Sequence, residues 1–145
     1  MAHAPRRMLL GFIAGAVSVL TFHQGMIGVL HALGVIGSAP FPTAPVGPLH
    51  VARVFDLAFW GGCWGIVFGL LGPRLRGPDW MLGLGLGIVA AATSWFVVSP
   101  LKGGPIADNG DVHRIVLSLV INGFWGIGTA MILSALTTPR RLARA

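Results

Sequence analysis

Charge is scarce in this chain: of 145 residues only 10% are charged, and just four of those are acidic. With 54% apolar residues, such a composition excludes an ordinary soluble domain. Cysteine is almost missing as well. The single copy, Cys63, excludes an intramolecular disulfide and any multi-cysteine metal site within the chain, and reads as a small buried apolar residue. No nucleotide-binding loop, nucleophile elbow or metalloprotease motif occurs, so nothing in the sequence supports catalysis. Long polar segments are lacking too, which leaves specificity to helix faces, a polar cluster or a partner.

What is present is four long apolar runs. Read as spans 8–34, 54–71, 80–98 and 115–136, they approach the ~20 residues that cross ~30 Å of hydrocarbon. The expected fold is an all-α polytopic membrane protein, a four-transmembrane-helix bundle forming one integral membrane domain over residues 1–145. Basic residues flank the runs instead of forming a stripe, so the pI near 11.7 is a topology signal and nucleic acid is not an expected partner. Placing the N-terminus in the cytoplasm puts Arg6, Arg7, Arg74, Arg76, Arg140, Arg141 and Arg144 on one side. That is seven of the ten basic residues, and only Asp79 offsets them. Arg53, Lys102 and Arg114 fall on the other side, where Asp56, Asp108 and Asp111 cancel them. The bias predicts both termini inside a bacterial inner membrane, with an even number of crossings. The first run follows two arginines but continues past Phe22 without a small-residue cleavage site, which predicts a signal anchor instead of a cleaved leader.

Proline and glycine break the pattern between Gly34 and Pro48, giving an apolar loop expected to lie on the outer surface or pack over helix ends. The short connection Gly72–Pro78 is expected to make the second and third helices antiparallel neighbours. Asp111 reads as the N-cap of the fourth helix, and Thr137-Thr138-Pro139 as its end. A weak repeat emerges when Arg53–Gly69 is laid on Arg114–Ala130, matching Arg53 with Arg114 and Trp64-Gly65-Ile66 with Trp125-Gly126-Ile127. Gly11 and Gly15 likewise match Gly83 and Gly87. The expectation is two helix hairpins of the same orientation, related by an axis along the membrane normal.

Many of the 22 glycines recur at four-residue spacing: Gly11 and Gly15; Gly61, Gly65 and Gly69; Gly83 and Gly87. Gly126 lies on a fourth stripe with Ser118, Asn122, Ala130 and Ser134. Such stripes let helix backbones approach closely in lipid, where dispersion supplies much of the attraction between helices. They build one compact bundle, or turn at least one face toward a homo-oligomeric or membrane-protein partner. Trp80 reads as an interfacial anchor, and Trp60, Trp64, Trp95 and Trp125 as space fillers opposite glycines.

Polar groups inside spans are costly and are the places to look for chemistry. His23, Gln24, Arg53, Asp56, His113, Arg114 and Asn122 all fall in the outer third of the expected bundle, which predicts one polar cluster. Arg53 and Asp56, at i and i+3, form either a local ion pair or a proton or cation site titrating at Asp56. His23 is a packing residue or a proton relay, while His31, His50 and His113 read as loop or interfacial residues. Haem would require His23 with His113, which lies too near its helix start, and zinc ligands drawn from His23, His50, His113 and Asp56 have no recognisable spacing. No cofactor is expected.

The pattern Leu10-Gly11-x-x-Ala14-Gly15, Leu82-Gly83 through Gly87, Val98-Ser99-Pro100-Leu101-Lys102-Gly103 and the glycine-rich fourth span resembles small bacterial four-span inner-membrane proteins of the YagU-like type. The resemblance covers most of the chain and implies an architecture without an activity. The chain departs from that pattern in placing Arg53 and Asp56, not a histidine, at the start of its second span. The functional expectation is a non-catalytic homo-oligomer or accessory subunit of a membrane complex. The alternatives are a small-solute or ion transporter using the polar cluster and, third, a haem- or metal-binding redox subunit.

Overall fold

Apolar runs with little charge fold as helices where backbone groups have to satisfy one another, and four such helices form. The computed structural model describes residues 3–138; Arg140, Arg141 and Arg144, which carry part of the charge asymmetry, and Pro139 lie outside the described residues. The helices are α1 (Ala4–Ala32), α2 (Arg53–Arg74), α3 (Asp79–Leu101) and α4 (Val112–Thr137), each long and apolar enough to cross a membrane. The fold is all-α except for a two-residue ladder between β1 (Pro45–Val46) and β2 (Val51–Ala52), which are antiparallel. Asp111 caps α4 by accepting from the Arg114 amide at 3.2 Å.

The glycine stripes set the packing. A Cβ on Gly11 or Gly15 would run into the carbonyls of Gly65 and Gly61, and one on Gly69 into that of Arg7, so α1 and α2 touch backbone to backbone. The second hairpin repeats this pair by pair. Gly83 meets the Gly126 carbonyl, Gly87 meets the Asn122 carbonyl, and the contact of Phe12 on Gly62 recurs as Leu84 facing Gly123. Thr21 and Thr93 also correspond, each hydroxyl donating to the carbonyl four residues back, Val17 at 2.8 Å and Val89 at 2.9 Å. The two hairpins are thus held by matching contacts at corresponding positions.

The hairpins join through α1 and α4. Trp125 is buried at this seam, its indole N–H donating to the Gly15 carbonyl at 3.1 Å. The Trp125 carbonyl in turn accepts from the buried hydroxyls of Ser18 at 2.6 Å and Thr129 at 2.9 Å. Gly128 makes room for Phe22 beside them. Every buried side-chain polar atom among the described residues has a partner, as an apolar surrounding demands.

The order across the bundle is α2, α1, α4, α3, which corrects the expectation drawn from the short turn. Helices α2 and α3 are consecutive, yet their backbones hardly approach each other. Each has its small-residue face against its hairpin partner, and the sides they turn toward each other carry Val67, Leu71, Leu82 and Val89. The turn itself permits the divergence, passing from a 3₁₀ turn at Gly72–Arg74 into extended backbone at Leu75.

The connection between α1 and α2 folds back on the helices. Gln24 is fully buried and its Oε1 accepts from the Phe41 amide at 2.6 Å, while Gly28 seats Pro40. The loop then lends its carbonyls to the first turn of α2, whose N-cap is Ala52: Val54 donates to Pro42 and Arg53 to Ala44, both at 3.0 Å. Helix-end amides that lack a side-chain cap are satisfied this way. Replacing Gln24 by Leu leaves the Phe41 amide without its acceptor and is expected to cost about 1–3 kcal/mol. Thermal unfolding checks the loss, and faster proteolysis within residues 34–52 shows that it is local.

Candidate functional site

Because α2 and α3 diverge, a cleft opens between them with α1 and α4 as its floor. At the end of the bundle that holds the two longer connections, the cleft widens into a cavity of about 350 Å³. All four helices contribute. His23 and Val19 come from α1, Arg53, Asp56, Trp60 and Trp64 from α2, and Asn122 and Trp125 from α4. Helix α3 adds Thr93, Ser94 and Val98, and Lys102 follows its last residue at the mouth.

Two wide π turns shape this cavity, at Val19–His23 in α1 and at Ser94–Val98 in α3. Each supplies its first and last residue to the wall. A π turn inserts a residue into the helical repeat, and such bulges occur frequently at functional sites. Thr21 lies within the first and Thr93 just before the second, each hydroxyl competing for a backbone carbonyl, a known way to distort a helix. That pair was the available sequence signal for a distortion that hydropathy alone does not show.

Of the residues expected to cluster, the cavity brings together His23, Arg53, Asp56 and Asn122. Gln24 is not among them, because its side chain is engaged with the loop at Phe41. Its Nε2 remains 3.3 Å from His23 Nδ1, so it orients the imidazole from behind. His113 and Arg114 are exposed and stand apart from the cavity. Arg114 pairs instead with Asp111 at 3.4 Å, the one ion pair among the described residues.

The local ion pair considered for Arg53 and Asp56 does not form. In the repeat, the position corresponding to the capping Asp111 is His50, so Arg53 has no acidic residue where Arg114 has one. Asp56 is half-buried and accepts no hydrogen bond from the described residues, which leaves its oxygens open toward the cavity. Asn122 is held by its own helix, donating to the Ser118 carbonyl at 2.9 Å, so its amide oxygen is the free group.

Lys102, Thr93, Ser94 and the tryptophans were not recognised as cavity residues from sequence. Trp60 and Trp64 line the walls, and only Trp125 is buried opposite glycine; Trp95 stacks edge-on with Phe96 and Trp80 is half exposed. No three His, Cys, Asp or Glu side chains come together closely enough to hold a metal ion among the described residues.

The site therefore offers two cationic groups, one carboxylate, an imidazole, an amide oxygen and indole faces in a space that is open on one side. It can bind charge and aromatic or apolar surface together. Compared with protein families, curated proteins and solved structures, the chain matches none of them.

Proposed function

We propose that the protein is a multi-pass membrane protein, with its termini in the cytoplasm of a bacterium, that uses the outer cavity to bind the charged part of a small molecule and pass it into or across the bilayer. The observation that carries this reading is the convergence of Asp56, Arg53, His23 and Asn122 from three helices on one cavity, with Lys102 closing the fourth side. Groups this costly in lipid are retained where they serve a function. The basic residues Arg6, Arg7, Arg74 and Arg76 at the opposite end support the orientation. Membership of the YagU-like group belongs to the same proposal and adds no activity to it.

The expectation of a homo-oligomer or accessory subunit draws no support from the glycine stripes. Gly11, Gly15, Gly61, Gly65, Gly69, Gly83, Gly87 and Gly126 all face backbone within the chain, so a second subunit has to use another surface.

Tryptophan emission reports the cavity directly, since Trp60, Trp64 and Trp125 line it. The protein in lipid nanodiscs is titrated with a panel of small anions, cations, zwitterions and short-chain amphiphiles. At least one class is expected to shift the emission, and Arg53→Ala or Asp56→Asn to weaken that binding about tenfold, the worth of one charge-assisted hydrogen bond. A flat response across the panel, or shifts indifferent to both substitutions, would overturn the proposal.

A further inference from the structure

The cleft does not end with the polar cavity. Toward the opposite end of the bundle it continues between α2 and α3 as a second cavity of about 290 Å³, and Trp64 lines both. The lining changes character completely: Val67, Phe68, Leu71 on one wall and Met81, Leu82, Val89 on the other, without a polar side chain. A furrow charged at its outer mouth and apolar along the rest has the polarity of an amphiphile lying parallel to the helices. From Arg53 to Leu71 the wall spans about 27 Å at ~1.5 Å per residue, close to the thickness of the hydrocarbon.

We infer that the furrow between α2 and α3 is a binding site for a membrane lipid with an anionic headgroup, the phosphate held by Arg53 and Lys102 and one acyl chain lying along the apolar walls. The inference rests on the membrane-binding reading above and names its ligand class.

Charge decides the sign of the headgroup. Arg53 and Lys102 outnumber Asp56 at the mouth, and neither forms an ion pair among the described residues. Asp56 then accepts from a headgroup hydroxyl or ammonium while the two cations hold the phosphate. The furrow walls decide the shape of the rest. A helix from a second copy would want small residues on both walls, as every helix contact inside this chain has. The walls instead carry large apolar side chains, and the one glycine, Gly85, stands in open space with nothing within 4 Å of where its Cβ would be. That is room for a chain of methylenes. The lateral opening gives the chain direct entry from the leaflet.

The test uses the full chain in phosphatidylcholine vesicles containing a trace of phosphatidylglycerol with a diazirine in its acyl chain. After irradiation, labelled peptides are mapped by mass spectrometry. Labels are expected on Val67–Leu71 and Met81–Val89. Arg53→Ala with Lys102→Ala lowers them about tenfold, in keeping with the loss of two basic contacts. Gly85→Phe, which fills open space and leaves the helix contacts intact, abolishes them while thermal unfolding stays at the wild-type midpoint. The same probe on phosphatidylcholine is expected to label exposed residues away from the furrow such as Val29 and Met131, without response to Gly85→Phe. Even labelling by the anionic probe, or labelling that survives Gly85→Phe, overturns the inference. So does a dimer in native mass spectra that Gly85→Phe dissociates, which would make a second copy the occupant. If the emission shifts caused by soluble ions persist while lipid labelling fails, only the lipid falls and the polar cavity stands.

Discussion

Gly65→Val is expected to destabilise the protein by about 3 kcal/mol, at the upper end of what overpacking a tight contact costs. The Cβ would land on the Gly11 carbonyl, and a rigid backbone atom cannot swing aside as a side-chain end can. Helices α1 and α2 have to separate, and with them goes the dispersion energy of the close backbone contact. The matching contacts of the second hairpin make a second claim from the same geometry. Gly126→Val, which drives its Cβ into the Gly83 carbonyl, is expected to cost about as much, since it breaks the corresponding contact of the other hairpin. Gly85→Val is the control: it adds the same atoms in open space and is expected to stay within about 0.5 kcal/mol of wild type. Unfolding followed by circular dichroism in a fixed detergent ranks all three. Equal losses at Gly65 and Gly85 would show that the cost comes from helix propensity and not from backbone contact.

Trp125→Ala is expected to cost about 3 kcal/mol, near the low end for removing a buried large aromatic. This indole fills the seam between the hairpins and is the donor to the Gly15 carbonyl. Trp125→Phe keeps most of the volume and loses that hydrogen bond, for an expected cost of about 1 kcal/mol. Trp64 corresponds to Trp125 in the repeat but sits on the wall of the open cleft. Trp64→Ala is therefore expected to leave stability within about 1 kcal/mol while weakening whatever the cleft binds. The same unfolding assay, run beside the emission titration with Trp60 and Trp125 as reporters, separates the two effects. If Trp64→Ala unfolds the protein as readily as Trp125→Ala, the cleft is closed under the conditions of the assay.

This contrast between two corresponding tryptophans shows where the sequence stops. The repeat was legible because glycine at four-residue spacing and tryptophan beside it leave a periodic trace. The stripes were legible as faces of close approach, but which stripe meets which, Gly11 with Gly65 and Gly83 with Gly126, came from the structure. Nothing in the trace said that one hairpin seam closes and its counterpart stays open. Closure at α1 and α4 depends on Ser18, Gly128 and Trp125 meeting as a set, whereas the corresponding residues Ala90, Val67 and Trp64 lack the hydroxyl and the small residue.

The polar cluster divides in the same way. Depth along each helix is a matter of counting, so His23, Asp56, Arg53 and Asn122 were legible as residues at one level. Rotation about the helix axis is not, because two π turns shift the register of α1 and α3 and a buried hydrogen bond to Phe41 takes Gln24 away.

By itself, then, the sequence determined four apolar helices, their lengths, the asymmetric placement of basic residues and the faces on which glycine permits close approach. These depend on composition and on spacing within one segment. The tertiary structure alone decided that α2 and α3 stand apart, that the cleft is charged at one end and apolar at the other, and that Lys102 joins it. Those features arise from which faces are already occupied by a neighbour, and occupation is a property of the assembled helices that no single segment encodes.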